Sequence, residues 1–366
     1  MSRKCLILTF LMATLVDWGR AAETFLAGAD LSLLPYFETN GAVYRNHGQT
    51  DDAITLLKSQ GINCVRLRLF TSSAAQARAN PYNYINNLDY TVPLAQRVKR
   101  AGLKFWLDFH YSDTWADPGH QAMPSAWTNL PFFALVGQMR SYSSNCIAAF
   151  KSAGALPDYV QVGNEITAGM MWPVGQVGGK HNTPAQWSQL ARLLNAAIQG
   201  IHDAAGPQPP KLVIHIDRGA DWHRTEWFFD NLIRTQHVAF DFIGESYYPF
   251  FHGALSNLDN CLTQTARRYG KPVIVAETAY PWTYSRQMTG LPGIPATIPG
   301  QAQYVRALGQ IIRHVPDGLG TGIFWWGTEY QPGFRRGGSG YAQTSWFDHQ
   351  GNLLPAAAEL GDLARP

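Results

Sequence analysis

The sequence predicts a single (β/α)8 barrel, and three observations favour it. Eight short β-rich runs alternate with amphipathic segments, which is typical of right-handed βαβ units around a parallel sheet. Eight such units are enough to close a barrel. Polar residues also stand at the end of nearly every run. The alternative is an open doubly wound sheet, but no G-x-G-x-x-G follows the first run, so the dinucleotide-binding form lacks its fingerprint.

The predicted strands and helices follow one another along the chain. The strands cover 24–32, 61–70, 102–110, 158–165, 211–217, 240–248, 271–278 and 320–327. Apolar residues recur at helical spacing over 51–60, 90–101, 145–153, 187–205, 258–269 and 301–315, and less regularly over 225–235 and 355–365. Glycines predict where four helices end before the next strand: Gly61, Gly102, Gly154 and Gly270.

The composition of the 366 residues indicates a large core with an open, ring-lined surface. Charged residues make up 15% of the chain, against about a quarter in a typical soluble domain, and aromatic residues make up 13%. Disordered chains show the opposite balance. The formal net charge is +3, and no basic run outside the N-terminus is longer than two residues. We therefore expect no nucleic-acid partner.

Residues 1–21 have the pattern of a secretory signal peptide. Arg3 and Lys4 precede an apolar run that ends at Val16, and small residues lead to a predicted cut after Ala21. The run is shorter than the roughly 20 residues that a membrane span needs. A buried N-terminal helix is the alternative. We therefore expect a secreted or periplasmic protein with one folded domain over 22–366 and no membrane association.

Three cysteines remain after the predicted cut: Cys64, Cys146 and Cys261. Because the number is odd, at least one thiol stays free. We predict buried free cysteines, since Cys behaves as a small apolar residue, and a single disulfide is the alternative.

The polar residues at the strand ends predict the position of the functional site, since barrel enzymes carry their active residues at the carboxyl ends of strands. Glu165 ends the fourth strand after Asn164, and Glu277 ends the seventh. Only a closed fold brings them together. Two facing carboxylates in an aromatic cleft suit glycoside hydrolysis, where unequal surroundings separate their pKa values. Glu245 is an alternative candidate for one of the two carboxylates, but we expect Ser246 and Tyr248, on the other face of the strand, to point into the barrel instead.

The remaining polar residues favour no metal-dependent or serine-hydrolase chemistry. Arg66 and Arg68 alternate on the second strand, so they point the same way, and a charge beside Glu277 would keep it ionised. A structural ion-pair network is the alternative. No His-x-His or His-Glu-x-x-His occurs, so we predict no catalytic metal and no cofactor. A G-x-S-x-G motif lies only in a glycine-rich loop around Ser339, without the strand that a serine hydrolase requires.

Seven segments of the chain resemble glycoside hydrolase family 53, the arabinogalactan endo-β-1,4-galactanases, which are retaining (β/α)8 barrels. They are GADLSLLPYFETNG (28–41), GINCVRLRLF (61–70), LDFHYSDTWADPGHQAMPSAW (107–127), VQVGNEITAGMMWPVGQ (160–176), FDFIGESYYPF (240–250), KPVIVAETAYPWT (271–283) and VPDGLGTGIFWW (315–326). The resemblance covers nearly all of the chain after the signal peptide.

The resemblance implies a role for each candidate residue. Glu165 would be the acid/base, Glu277 the nucleophile, and Asn164 would bind the hydroxyl next to the anomeric carbon. Arg66 and Tyr248 would hold the nucleophile. The cleft near the cleaved bond would contain His110 and Asp113, with Asp108 on the same strand face as His110. The sugar platforms would be Trp115, Trp172 and Trp326.

Two departures from the family pattern stand out. Family members often follow the aromatic pair of strand eight with Glu-Pro, whereas Gly327 stands here, so sugar contacts at this end are left open. The loop over 284–300 contains no Asp or Glu, so we predict no calcium site of the kind that some bacterial relatives carry.

The resemblance thus implies an endo-acting, retaining β-1,4-galactanase that cleaves the galactan side chains of pectin, and we expect it to be a monomer. A retaining mechanism predicts carboxyl groups about 5–5.5 Å apart. The alternatives are the same machinery on another β-1,4-linked polymer such as mannan, and a non-catalytic carbohydrate-binding barrel. The presence of Glu165, Glu277 and Asn164 argues against the latter.

Overall fold

Eight parallel strands close into a barrel in the computed structural model, which describes residues 24–286, 288–289, 293–331 and 341–365. The strands are β1 (Leu26–Asp30), β2 (Cys64–Leu69), β3 (Lys104–Phe109), β4 (Tyr159–Val162), β5 (Lys211–Ile216), β6 (Phe242–Ser246), β7 (Val273–Thr278) and β8 (Gly320–Trp325). Each strand pairs with its sequence neighbours, and β1 pairs with β8 through Leu26 and Gly322. The predicted barrel is confirmed and the open sheet is wrong. The predicted signal peptide lies outside the described residues.

Helices connect the strands and cover the outside of the barrel. They are α1 (Leu34–Thr39), α2 (Ala53–Ser59), α3 (Ala74–Ala79), α4 (Pro81–Tyr84), α5 (Leu88–Arg100), α6 (Phe132–Ser152), α7 (Pro184–Ala205), α8 (Trp222–Phe229), α9 (Pro249–His252), α10 (Leu255–Tyr269), α11 (Ile298–His314) and α12 (Ala356–Asp362). A π-helical segment, Asp230–Thr235, continues α8. Every predicted helical stretch is present, whereas α1, α3, α4 and α9 were not predicted.

The helix ends follow local signals in the sequence. Asp52 caps α2 by accepting a hydrogen bond from the Thr55 backbone N–H at 2.9 Å, and Thr183 caps α7 in the same way from Gln186 at 3.2 Å. Gly61 and Gly102 take φ values of 98° and 74° where the chain leaves a helix for the next strand. A side chain would strain this backbone, which explains why glycine marks these ends.

The barrel interior has an apolar half and a polar half. The apolar half is filled by Leu26, Cys64, Trp106, Tyr159, Val213, Phe242, Ile274, Ala276 and Phe324. Along β2, Arg66 and Arg68 continue the inner face above Cys64, while Val65, Leu67 and Leu69 pack against the helices. The polar half therefore lies at the carboxyl ends, where the sequence predicts the site.

The described cysteines confirm one prediction made from the sequence. Cys64, Cys146 and Cys261 are buried and unbridged, as expected of small apolar core residues. Across the part of the chain that the structure describes, no helix combines the length and the apolar character that crossing a membrane requires.

Candidate active site

A cavity of about 480 Å³ opens at the carboxyl ends of the barrel strands. The residues that line it are Arg66, Arg68, His110, Trp115, Ala116, Asp117, Pro118, Asn164, Glu165, Asp217, Tyr248, Phe251, His252, Glu277, Trp326 and Tyr341. Both predicted carboxylates lie in this cavity, together with the predicted residues Arg66, His110, Trp115, Asn164, Tyr248 and Trp326.

A β-bulge turns the predicted nucleophile, Glu277, into the cavity. Ile274 and Ala276 already face the barrel interior, so strict alternation would point Glu277 toward the helices. The pairing of β7 with β8 shifts register between Val275 and Thr278, and Thr278 then reaches outward to hydrogen bond with Tyr304. Bulges re-aim side chains in this way beside active sites.

Two fixed donors hold the Glu277 carboxylate. The Arg66 guanidinium Nη2 lies 2.8 Å from Oε1, and the Tyr248 hydroxyl donates to Oε2 at 2.8 Å. Burial raises the pKa of Glu277, while the Arg66 charge and then the Tyr248 hydrogen bond oppose that rise. The carboxylate is therefore held in one orientation by groups that favour its ionised form.

Glu165 reaches the same cavity by a different backbone route. Strand β4 ends at Val162, and Glu165 adopts a left-handed conformation with φ 51° and ψ 49°. This conformation is uncommon for a residue with a side chain and is found preferentially at functional sites. Here it directs the carboxyl group of Glu165 toward the cavity.

The surroundings of Glu165 favour its neutral form. Its Oε1 accepts a hydrogen bond of 2.6 Å from the Ser246 hydroxyl. Burial raises the pKa of Glu165 well above its usual value, and the negative charges of Glu277 and Asp217 raise it further. With Oε1 engaged by Ser246, the other oxygen, Oε2, is the one that can carry a proton toward a ligand.

A chain of hydrogen bonds from His215 fixes Ser246 and, through the Gln161 side-chain amide that donates to the Asn164 oxygen at 3.0 Å, also Asn164. His215 is fully buried, which lowers its pKa well below the usual value, so its ring is neutral. Its Nε2 lies 2.8 Å from the Ser246 hydroxyl, and its Nδ1 lies 3.0 Å from the side-chain amide of Gln161. Since Ser246 donates to Glu165, the network assigns the ring proton to Nε2. Both nitrogens are thereby engaged.

Arg66 is the hub of a buried charge network below the cavity. Its Nη1 lies 3.0 Å from Asp30, and its Nη2 lies 2.9 Å from Asp108 and 2.9 Å from the side-chain oxygen of Asn164. The three carboxylates around this guanidinium, Asp30, Asp108 and Glu277, compensate for its burial. Arg66 thus connects the floor of the site to Glu277 and Asn164.

Aromatic rings form the wall of the cavity around Arg68. The Arg68 guanidinium carbon lies 4.3 Å from the ring centre of Trp115 and 5.6 Å from that of Trp326. Tyr341 packs edge-on against Trp326, with ring centres 4.5 Å apart. These rings present apolar faces beside charged and polar groups, which suits a ligand with both C–H faces and hydroxyls.

Three of the predicted site residues do not line the cavity. Asp108 is buried beneath it, where it bridges Arg66 and His110. Asp113 was expected in the cleft but instead fastens neighbouring loops, accepting hydrogen bonds from Thr71 and from both the backbone and the hydroxyl of Ser125. Both oxygens of the Asp113 carboxylate are therefore engaged in these hydrogen bonds.

Trp172 was expected to be a sugar platform, and it also lies outside the residues that line the cavity. Its indole N–H donates to the Ala168 carbonyl at 2.9 Å, and its backbone N–H donates to Gln121 at 2.8 Å. These bonds fix Trp172 within the loop after β4, and its role as a sugar platform stays a prediction.

Several cavity residues were not predicted because they lie in loops without periodicity. Tyr341 begins the short 3-10 helix Tyr341–Gln343, Phe251 and His252 belong to the short helix α9, and Asp117 follows β3. No pattern in a single sequence shows which residues of such loops turn back over the barrel. In the described part of the chain, no group of three or more His, Cys, Asp or Glu side chains could hold a metal ion.

Comparison with known proteins identifies the family. The sequence model for glycosyl hydrolase family 53 matches residues 26–360. An uncharacterised protein of Niallia circulans is 40% identical over 354 residues, which are 92% of this chain and 94% of that protein. The arabinogalactan endo-β-1,4-galactanase of Humicola insolens is 34% identical over 309 residues, 82% of this chain and 88% of its own.

A solved structure agrees with the sequence relatives. The family 53 catalytic domain of Ignisphaera aggregans superimposes with a TM-score of 0.84 at 32% identity, covering 95% of this chain and 98% of its own. The matched region includes the barrel and both glutamates. On these grounds, this chain belongs to glycosyl hydrolase family 53.

Proposed function

We propose that this chain is an endo-acting, retaining β-1,4-galactanase that cleaves galactan, with Glu277 as nucleophile and Glu165 as acid/base. The observation that carries the assignment is the unequal environment of two buried carboxyl groups in one aromatic-lined cavity. Arg66 and Tyr248 favour the ionised form of Glu277, while Glu165 has one hydroxyl partner and two negative neighbours. The name of the Humicola insolens relative supports galactan as the substrate.

In the first step, an oxygen of Glu277 attacks the anomeric carbon, and the bond from this carbon to the departing sugar oxygen breaks. The proton on Oε2 of Glu165 passes to that oxygen, so the leaving sugar departs as a neutral alcohol. The galactosyl unit is then held by an ester bond to Glu277. Asn164, whose side chain is fixed by Arg66 and Ala116, binds the hydroxyl next to the reacting carbon.

In the second step, Glu165 acts as a base. Forming the ester removes the negative charge of Glu277, which is one of the causes that raise the pKa of Glu165. The pKa of Glu165 therefore falls in the intermediate, as its role as a carboxylate requires. Glu165 takes a proton from water while the water oxygen attacks the anomeric carbon, and the bond to Glu277 breaks. Two inversions at this carbon give a product with retained configuration.

Azide rescue tests the two roles separately. Glu277→Ala and Glu165→Ala should each lose activity on galactan by at least about three orders of magnitude. With an activated aryl β-galactoside substrate and azide, Glu277→Ala should form an α-galactosyl azide, because azide replaces the nucleophile in one inversion. Glu165→Ala should form the β-galactosyl azide, because the ester on Glu277 still forms. Proton NMR of the products distinguishes the two azides. If Glu277→Ala gave the β-azide and Glu165→Ala the α-azide, the roles of nucleophile and acid/base would have to be exchanged.

Glu245 provides a matched control, because it is a buried glutamate on the neighbouring strand β6. It faces the helices, where it accepts hydrogen bonds from the Thr225 hydroxyl and the Arg218 backbone. Glu245→Gln should keep most of the activity of the folded enzyme and give no azide product. A loss comparable to that of Glu277→Ala would show that burial of a glutamate, rather than its place in the cavity, accounts for the effect.

We also propose that residues 1–21 direct secretion and that the mature enzyme is a monomer. The basic start and short apolar run support secretion. Mass spectrometry of the protein recovered outside the producing cells should give an N-terminus at Ala22. Light scattering should give the mass of one chain, and a dimer mass would contradict the second proposal.

A further inference from the structure

A groove lies at the amino ends of the barrel strands, on the face of the molecule opposite the active site. Two adjoining cavities of about 190 and 480 Å³ form it, and both are lined by Lys99 and Gly154. Lys99 lies in the last turn of α5, and Gly154 follows the end of α6. Because the helices of a (β/α)8 barrel run back along the strands, these helix ends lie at the end of the barrel away from Glu165 and Glu277.

Basic side chains lie in and beside this groove, and we call them the basic face. Some lie in the last turns of α2, α5 and α6, and others begin β3 and β5. They are Lys58, Lys99, Arg100, Lys104, Lys151 and Lys211. Lys58 donates to the Ala101 carbonyl at 2.6 Å, and the Lys211 backbone N–H donates to the Asp158 carbonyl at 3.0 Å. These contacts join neighbouring elements, so the charges form one continuous surface.

Few carboxylates balance the charge of the basic face. Asp158 lies 2.9 Å from the Lys99 ammonium, and Asp241 lies 3.7 Å from that of Lys211. The remaining cations of the basic face have no carboxylate partner among the described residues. The basic face therefore carries an excess of positive charge toward solvent, and such a surface attracts anionic polymers.

Helix ends alone do not account for this concentration of charge. Cations favour the last turn of a helix, and the Lys151 ammonium donates to the carbonyls of Ala204 and Ala205 at 3.3 and 3.1 Å. A carbonyl partner is neutral, so it leaves the ammonium charge uncompensated. Lys104 and Lys211 begin strands, where no helix end requires a cation. The excess charge is thus a property of the whole face.

The groove combines these cations with apolar surface. Arg100 lines one cavity and Lys151 the other, and Leu156, Pro157 and Pro209 line the second cavity beside Lys151. A uronic acid presents C–H faces to apolar side chains and a carboxylate to cations. Among the described residues, no aromatic side chain lines either cavity, whereas single-stranded nucleic acids bind by stacking their bases on rings. The groove therefore fits an acidic polysaccharide better than a nucleic acid.

We propose that the basic face binds an acidic polysaccharide, a polymer rich in uronic acids, while the active-site cavity at the other end of the barrel stays open to galactan. Pectin carries its galactan side chains on such a polymer. An enzyme held on that backbone meets the side chains at a raised local concentration. Binding at the basic face is independent of cleavage, because none of its residues belongs to the active site.

Binding to immobilised polygalacturonate, measured by biolayer interferometry, tests the basic face. The wild-type protein should bind at low ionic strength and dissociate at about 1 M salt, where the screening length is about 3 Å. The triple variant Lys58→Gln, Arg100→Gln and Lys151→Gln should bind at least about tenfold more weakly, because it loses three of the charges. Glutamine keeps a donor for the carbonyls that the lysines hold, so the activity on soluble galactan should stay at the wild-type level.

The matched control removes three exposed cations from segments that follow the carboxyl ends of β2, β4 and β5. These substitutions are Arg78→Gln, Lys180→Gln and Arg224→Gln. The control lowers the net charge equally and should keep the wild-type affinity for polygalacturonate. Equal weakening in both triple variants, or no binding by the wild type, would overturn the proposal. Tighter binding to oligodeoxythymidylate than to polygalacturonate would also overturn it, since the face would then fit a nucleic acid.

Arg100→Gln alone provides a second variant that disturbs no contact of the fold. The Arg100 side chain is exposed and makes no hydrogen bond or ion pair with the described residues. This variant should weaken binding by about two- to threefold, and wild-type affinity in it and in the triple variant would contradict the proposal. Because the binding assay involves no galactan, a protein that binds polygalacturonate but cleaves no galactan would refute the proposed function and leave the basic face intact.

Discussion

Glu165 and Glu277 carry the same functional group, and their partners alone distinguish them. A guanidinium and a phenol hold Glu277, whereas a serine hydroxyl and two carboxylates surround Glu165. The differences arise outside the two residues, in Arg66 on β2, Tyr248 after β6 and Asp217 after β5. The chemistry of the pair therefore depends on residues from three other strand ends, and each of these residues can be tested alone.

Asp217→Asn should shift the alkaline limb of the pH profile for kcat/KM. The Asp217 carboxylate disfavours ionisation of Glu165 and so raises its pKa. Removing this charge lowers the pKa, so the acid form of Glu165 is lost at a lower pH. The limb should move down by up to about one pH unit, since one neighbouring charge is removed and others remain.

The measurement is initial rate on soluble galactan across the alkaline range. Asp259→Asn, an exposed aspartate on α10, removes the same charge far from the cavity and should leave the limb in place. An alkaline limb that stays fixed in Asp217→Asn, or moves to higher pH, would show that Asp217 does not act on the group that titrates there.

The sequence located the two glutamates but not the backbone features that aim them. The apolar runs before Glu165 and Glu277 predicted strand ends, and both residues lie there. Strict alternation from Ala276 would have pointed Glu277 outward, and only the bulge in β7 corrects this. The left-handed φ of Glu165 is likewise not signalled by the apolar run before it. Neither feature has a local signature, because each depends on pairing with another strand or loop.

At the scale of elements, α6 and α7 show how closely two helices of the outer layer approach. Gly200 of α7 faces the backbone of α6, where an added Cβ would lie 2.2 Å from the Arg140 carbonyl oxygen. Real Cβ atoms do not approach an oxygen so closely, so a side chain here would push the helices apart. A Cβ added at Gly137 of α6 would have no atom within 4 Å outside the backbone of its own helix.

These two helical glycines form a matched pair for a stability test. Gly200→Ala should lower the free energy of unfolding by about 1–3 kcal/mol, because the helices must separate to admit the methyl group. Gly137→Ala should raise it by up to about 1 kcal/mol, since alanine favours an exposed helix over glycine. Urea unfolding measures both. Equal effects of the two substitutions would mean that helix propensity, not the approach of α6 and α7, determines the outcome.

The helices that the sequence failed to predict are short. The regular helices between strands have repeated apolar residues at helical spacing, and all of them were predicted. Helices α1, α4 and α9 have at most six residues, so no repeat can develop. Yet α9 supplies Phe251 and His252 to the cleft. Some of the residues that line the cavity thus lie where periodicity carries the least information.

On the scale of the whole molecule, the barrel interior has buried charged residues in its upper half and apolar residues in its lower half. The lower half is filled by apolar side chains, while Asp30, Arg66, Arg68 and Asp108 are all buried in the upper half. Each of these groups has a partner of opposite sign, which offsets the cost of burying its charge. These charged residues therefore lie directly below the cavity. The pH dependence of the stability of the protein then comes from buried ionisable groups that lack such partners.

Glu329 is the group for which this dependence can be isolated. It is fully buried in the loop after β8, where Oε1 accepts a hydrogen bond of 2.7 Å from the Leu33 backbone and Oε2 has no partner among the described residues. Burial, followed by the nearby Asp30 charge, raises the pKa of Glu329 from 4.5 to about 8, although Arg68 opposes the rise. The native state therefore keeps its proton over a range in which the unfolded chain has lost it.

Comparing wild type with Glu329→Gln across the pH range should reveal this proton. A raised native pKa contributes stability that is complete below about pH 4.5 and is lost as the pH rises to about 8. Between these values the free energy of unfolding of the wild type should fall relative to Glu329→Gln by about 1.4 kcal/mol per pH unit, and the difference should become constant at higher pH. Urea unfolding at closely spaced pH values measures it, and contributions from groups that do not interact with Glu329 cancel in the difference. Glu359→Gln, at an exposed pair with Arg306, should give a small difference without this slope. A flat difference for Glu329→Gln would mean that Glu329 is already ionised in the folded protein, with Arg68 outweighing its burial.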